Sequence, residues 1–318
     1  SSAASAVLGP SPSGTKEQHQ TKGVTVTSKT DPSFQIFLYP PEQDIISKKI
    51  FESGVYEPDE TEFIRQVGGN GWAVDIGANV GFHTLHMGAL GLDVICFEPS
   101  PDTASLLRQS IAANTSLQNR IRLYEAAAAE EPGTGRLVRH PDSPGMTILT
   151  RIGDDLSQLP FGVTTTASLN NADITLVRPE SILAKHIILP TDENSNSKLR
   201  LLKVDAEGHE LHAFRGVNLE RFPFAYIAFE LFPELLWKAG QTDPLDLLLF
   251  LQQFGYVCTT TPMKLFTDTL MDQKMTDEQL RTWYQDIIQA KYQFVLRASV
   301  IYPSNTTGRG CDAFVGRS

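Results

Sequence analysis

Three apolar runs in this 318-residue chain lead into carboxylates, and the spacing of those carboxylates is where chemistry first shows. Trp72-Ala73-Val74-Asp75-Ile76 carries one at its end and runs into the turn Gly77-Ala78-Asn79-Val80-Gly81. Leu92-Asp93-Val94-Ile95-Cys96-Phe97 ends in Glu98, 17 positions beyond Gly81. A βαβ unit holds the ribose-binding carboxylate at about that distance, so Glu98 is placed to accept hydrogen bonds from both ribose hydroxyls of an adenosine. Leu201-Leu202-Lys203-Val204-Asp205 ends in a dense acidic turn, Ala206-Glu207-Gly208-His209-Glu210. Ligands of open α/β sheets bind outside the carboxyl ends of the strands, so Asp75, Glu98 and Asp205 are expected along one edge.

The spacing of the glycines narrows the ligand. A dinucleotide fold uses G-x-G-x-x-G so that a pyrophosphate can sit on a helix N-terminus. Here the spacing is G-x-x-x-G, with Asp75 two residues before Gly77, and a carboxylate there repels a pyrophosphate. The same carboxylate suits a cationic sulfonium or ammonium, so S-adenosylmethionine fits better than NAD, with Asp75, Gly77, Gly81 and Glu98 as its candidate binding residues. An NAD-dependent oxidoreductase and a non-catalytic module that keeps the cofactor fold are the competing readings. The spacing disfavours the first, and the retained carboxylates disfavour the second.

Transfer of a methyl group from such a sulfonium needs the acceptor atom in line with the methyl and a destination for the proton that the acceptor gives up. Asp205, Glu207 and His209 are the candidates, and His209 has the free pKa best suited to neutral pH. Glu207 and Glu210 also suit the N-terminus of a helix, where negative side chains favour the macrodipole. Glu230, after Ala225-Tyr226-Ile227-Ala228-Phe229, sits at a further strand end as a substrate contact or a structural residue. No metal is expected, because consecutive residues on the 205–210 turn point in different directions and one turn seldom closes a site. His83 and His86 lie three apart on one helical face, and His83 is expected in the wall of the cofactor pocket.

The elements that position these residues alternate. Strands are expected at 72–76, 92–97, about 120–125, 200–205 and about 224–230, and helices from about 79, at about 101–113 and at about 208–215. That alternation makes a parallel sheet. Leu245 to Phe254 reads as an apolar helix and Gly255 to Cys258 as a strand. Tyr292 to Arg297 reads as a last strand behind a helix opened by Thr276-Asp277-Glu278-Gln279, which gives two late strands suited to antiparallel closure. Residues 130–198, with Gly and Pro turns and a hairpin around Leu137 and Ile148, are expected to form a substrate-side insertion.

Residues 1–30, rich in Ser, Thr, Gly and Lys without apolar period, read as a disordered leader or linker. Residues 31–70 read as an N-terminal cap with a helix over Pro58 to Val67, residues 71–300 as the main domain, and residues 301–318 as a tail. At 41% hydrophobic and 20% charged residues the chain can bury one large α/β core. A net charge of −10 without a run of Lys and Arg argues against nucleic acid as partner. No segment approaches the ~20 apolar residues of a membrane span. Three cysteines make no disulfide framework. The compartment stays open: the chain starts at Ser1, as after removal of a tag, signal or anchor, and the sequons at Asn114 and Asn305 would be usable in a secretory lumen.

Val74 to Thr84, Phe97-Glu98-Pro99, Ala127 to Gly133 and Lys203 to Glu210 together resemble the FkbM family of S-adenosylmethionine-dependent methyltransferases, over about residues 60–300. The resemblance implies a Rossmann-like class I methyltransferase fold, mostly parallel with an antiparallel closing strand. It adds Asn79, Thr84 and Ala127 to the cofactor set. It also implies O-methylation of a small-molecule or glycan hydroxyl on a sugar or natural product. Glu180 stands where the family's pre-helix motif, here Val177 to Leu183, has Asp, and the insertion is long.

Overall fold

The computed structural model describes residues 23–140, 143–150, 169–188, 199–258, 278, 281–282, 296–297 and 301–303. In chain order these residues form β1 (Val24–Thr27), β2 (Gln35–Leu38), α1 (Ile45–Ser53), α2 (Pro58–Val67), β3 (Trp72–Ile76), α3 (Phe82–Ala89), β4 (Asp93–Phe97), α4 (Pro101–Ala113) and β5 (Ile121–Tyr124). There follow β6 (Ala127–Ala128), β7 (Gly133–His140), β8 (Ser143–Thr150), β9 (Leu169–Val177), α5 (Pro179–His186), β10 (Leu199–Val204), α6 (Glu210–Val217) and β11 (Tyr226–Leu231). Then come α7 (Pro233–Lys238), α8 (Pro244–Gln253), β12 (Tyr256–Cys258), β13 (Leu296–Arg297) and β14 (Ile301–Pro303).

The main sheet runs β12-β14-β11-β10-β3-β4-β5, parallel from β11 to β5, with β14 antiparallel between β11 and β12 and β13 also on β11. Its strands are near-continuous apolar runs because both faces are covered. The period of two divides them. Val74, Ile76, Ile95, Leu202 and Val204 pack towards the core that includes α6 and α8, whereas Ala73, Val94, Cys96 and Leu201 pack towards the core that includes α2, α3 and α4. Chain order reverses between β3 and β10, and at such a switch point a crevice opens beyond the strand ends.

Residues 127–177 contribute a second sheet, ordered β6-β9-β7-β8. The expected hairpin is there, with Val138 opposite Ile148 and Leu137 opposite Leu149. Glu180 at the start of α5 accepts from Asn218 at 2.9 Å and pairs with Arg178 and Arg221, a structural role.

Two boundaries differ from the sequence reading. Val24–Thr27, placed in the leader, is a strand that pairs antiparallel with Gln35–Leu38, because two short strands satisfy each other's backbone groups over a buried Ile36 and Leu38. The strand between β11 and β12 is Ile301–Pro303, placed in the tail; of the late strand expected over Tyr292 to Arg297, Leu296–Arg297 does pair antiparallel with β11, while Tyr292 to Val295 and the Thr276 helix start lie outside the described residues. Among the described residues no helix is long and apolar enough to cross a membrane.

Candidate active site

The crevice at the switch point is built from three strand-end turns that hydrogen-bond to one another. Asp205 N–H donates to Ile76 O at 2.9 Å, Gly77 and Ala78 N–H both donate to Phe97 O at 3.0 Å, and Glu98 N–H donates to Tyr124 O at 3.1 Å. Gly77 has φ +80°, and a Cβ there would stand 1.7 Å from the carbonyl oxygen of Asp205. That approach, rather than room for a ligand, is what requires glycine. Gly81 likewise faces Leu107, 2.1 Å from where a Cβ would lie, so it packs α3 against α4.

Above these turns lies a cleft of about 590 Å³, part of it open solvent. Gly77, Asn79, Glu98, Asp205, Glu207 and His209 line its floor. Ala127 of β6 and Leu137, Gly145, Thr147 and Leu149 of the β7–β8 hairpin form its wall. Among the described residues, no Lys or Arg lines it.

Glu98 is 5% exposed. It accepts from the N–H groups of Asn79 and Ser100, each at 2.8 Å. Burial nevertheless lifts its carboxyl to about 7, against the pull of those two bonds. Glu207 holds the left-handed backbone conformation, φ +50°. Burial, and then the charges of Asp205 and Glu210, push its carboxyl well above the usual carboxylate range. Glu210 accepts from Ala206 and Gly208 N–H, both at 3.0 Å, which caps the turn, and burial raises it to about 7. His209 Nε2 lies 2.7 Å from the carbonyl oxygen of Leu149. A carbonyl only accepts, so Nε2 carries the proton and the basic lone pair of the neutral ring is on Nδ1.

Hydrogen bonds tie the wall to the floor and the cap. Asn79 Nδ2 donates to Gly145 O at 2.9 Å. Asp44, the N-cap of α1, accepts from Ser47 N–H at 2.7 Å and, on its other oxygen, from Ser143 Oγ at 2.6 Å and Gly145 N–H at 3.1 Å.

Seven of the sequence-derived residues therefore meet at the cavity: Gly77, Asn79, Glu98, Ala127, Asp205, Glu207 and His209. Asp75, Gly81 and Thr84 are not among its lining residues. Asp75 is fully buried; Thr84 Oγ1 donates to its Oδ2 at 2.5 Å and Lys203 Nζ lies 3.6 Å from its Oδ1. The expectation that Asp75 faces a cationic ligand gives way to strand parity, since Asp75 shares the Ala73 face, turned to the helices, and pairs in register with Lys203. His83 is not in the cavity wall either but packs beside Glu60 under α2. Glu230, half-buried and lifted well above its usual range by desolvation and the charges of Asp205, Glu207 and Glu210, does not line the cavity. Thr147 and Leu149 were missed; the expected hairpin was their only sequence signal, because a hairpin's apolar side has no motif.

The chain is 26% identical to the methyltransferase sdnD of Sordaria araneosa over 196 residues, 57% of this chain and 71% of that protein. A solved Staphylococcus aureus structure, assigned as a caffeoyl-CoA O-methyltransferase, covers 80% of this chain and 88% of its own at 9% identity. Its TM-score of 0.33 is too low to bear on fold or chemistry. The model of the methyltransferase FkbM domain matches residues 75–258, more than half of the chain, from the strand that carries Asp75 to the edge strand β12, and the protein belongs to that methyltransferase family.

Proposed function

We propose that this methyltransferase binds S-adenosylmethionine over the strand-end floor and methylates a hydroxyl oxygen of a sugar, glycan or natural product held against the hairpin wall. One observation carries the reading: among the described residues the cavity is lined by Glu98, Asp205 and Glu207 and by no Lys or Arg. Such a lining attracts a ligand with sulfonium and ammonium charges and repels the pyrophosphate of NAD.

Glu98 would hold the ribose, since each of its oxygens accepts one backbone N–H and keeps a lone pair for a hydroxyl. Asn79 fixes that carboxylate and, through Gly145, the hairpin above it. When bound, the cofactor supplies an electrophilic methyl group on a sulfonium. The chain's own task is to receive the acceptor's proton as the new carbon–oxygen bond forms and the carbon–sulfur bond breaks, its electron pair going to sulfur. Glu207 is our choice of proton acceptor among Asp205, Glu207 and His209. Its ionised carboxyl, raised by burial, is a stronger base than an ordinary carboxylate, whereas Asp205 is 3.5 Å from Lys203 Nζ and His209 is tied to the hairpin. Asp205 and His209 would orient the turn.

Calorimetric titration of the purified protein with S-adenosylmethionine and with NAD tests the reading. Binding of S-adenosylmethionine alone is expected, and preference for NAD would overturn it. Labelled S-adenosylmethionine with fractionated glycans, lipids and metabolites would then identify the acceptor.

A further inference from the structure

Below the cavity floor, on the α2–α3 side of the sheet, lies a second group of chemistry-bearing side chains that the methyl-transfer reading does not use. The lead-in Tyr56-Glu57-Pro58-Asp59-Glu60 starts α2 with proline at its first position and Glu57 as N-cap, held at φ +42°. Glu60 follows one helical turn on, so the two carboxyls share a side. His83 stands in the first turn of α3, which packs against α2. One ligating atom from each of Glu57, Glu60 and His83 lies within 4.8 Å of the other two.

The histidine argues for a ligand there. Its ring is 4% exposed, its Nε2 is buried with no hydrogen-bond partner, and its Nδ1 faces Glu60 Oε1 at 3.7 Å. The ring thus turns one nitrogen to a carboxylate and leaves the other buried without a partner, which costs free energy. Charge points the same way. The ammonium of Lys203 is shared among Asp75, Asp205, Glu60 and Glu57.

We infer that Glu57, Glu60 and His83 bind one divalent transition-metal ion, which ties the lead-in of α2 to the start of α3. One imidazole and two carboxylates suit Zn²⁺, Mn²⁺ or Fe²⁺, and three protein ligands leave a coordination position open. The ligands come from two elements that converge, which removes the geometric objection that applies to the single turn at 205–210. None of the three lines the cavity, so the ion sits outside the methyl-transfer site.

The test uses the full chain, stripped with a chelator and titrated with Co²⁺ for its visible absorption and with Zn²⁺ by calorimetry. One equivalent is expected to bind. Glu57→Gln and Glu60→Gln, which keep side-chain volume, and His83→Asn, checked for folding by circular dichroism, should each weaken binding by at least ~10-fold, the scale on which altered metal surroundings are felt. Absence of saturable binding overturns the proposal. So does binding that survives Glu60→Gln but disappears in Glu207→Gln, which would move the ion to the acidic turn. A wild-type protein that takes no metal while Glu60→Gln loses affinity for S-adenosylmethionine would overturn it too and give the cluster to the cofactor's ammonium.

Discussion

The floor and the wall of the cavity are built on different principles. The floor is three turns whose backbones are bonded to one another at the switch point of a parallel sheet, with Gly77 pressed against Asp205 and carboxylates buried behind them. Such a surface cannot shift one part without the others. The wall is an antiparallel hairpin held to the rest by separate polar ties: Asn79 to Gly145, Asp44 to Ser143 and Gly145, Leu149 to His209, and Arg139 to Asp102 at 2.6 Å. The contrast teaches where constraint and variation belong: a coupled floor suits one cofactor chemistry, and a wall attached through separate contacts suits change of acceptor.

Substitutions on the floor should have the largest effects. Glu207→Gln keeps the shape of the side chain and removes its basicity, so turnover is expected to fall by the ~10²–10⁴-fold of a lost general base while cofactor affinity changes little. The wild-type rate should climb as pH rises through the elevated pKa of this carboxyl, and the variant should lack that limb. Wild-type turnover in a folded Glu207→Gln protein would break the assignment and pass the proton to His209 or Asp205. Gly77→Ala tests the coupling itself. A Cβ at positive φ costs ~1–2 kcal/mol, and pressing it into Asp205 costs a further ~1–3 kcal/mol. Denaturant unfolding should show the combined loss, and a variant as stable as wild type would mean the turns are not locked.

Smaller changes separate the two regions. Glu98→Gln should weaken S-adenosylmethionine by ~1–3 kcal/mol, the scale of hydrogen bonds to a charged group, in calorimetry. Leu149→Ala on the wall should raise the acceptor's KM by about 1 kcal/mol of lost apolar contact and leave cofactor affinity alone. Equal effects of both on cofactor binding would erase the distinction.

The floor and helix α3 also differ in how pH acts on them. Glu98 and Glu210, near 7 in the fold against 4.5 in the unfolded chain, hold protons in the folded state that the unfolded state has released, so their stabilisation is lost as pH rises through 7. His83 and His86, near 4 against 6.5, are neutral in the fold, so stability is lost as pH falls from 6.5 through 4. Between pH 6.5 and 8 each carboxyl should cost about 1 kcal/mol, which exceeds the smaller gain from each histidine as its unfolded form finishes losing its proton. Thermal unfolding should shift downward accordingly, and Glu98→Gln and Glu210→Gln should each flatten the slope.

Much of this was already written in the residue order. The alternation of apolar strands and helices, the Leu137–Ile148 hairpin, and the convergence of Glu98 with the 205–210 turn all follow from hydrophobic period and from strand ends meeting at a switch point, which are local or topological properties. The fate of Asp75, Gly81 and Thr84 was decided only by packing. Their motif places them near a cleft, but strand parity turned Asp75 to Lys203 and Thr84, and α4 brought Leu107 against Gly81. The meeting of Glu57, Glu60 and His83 was likewise beyond sequence, because two carboxylates ahead of one helix and a histidine on another become neighbours only once α2 packs on α3. Residue types and spacing fix what each segment can do; the close-packed interior fixes which of those groups face each other.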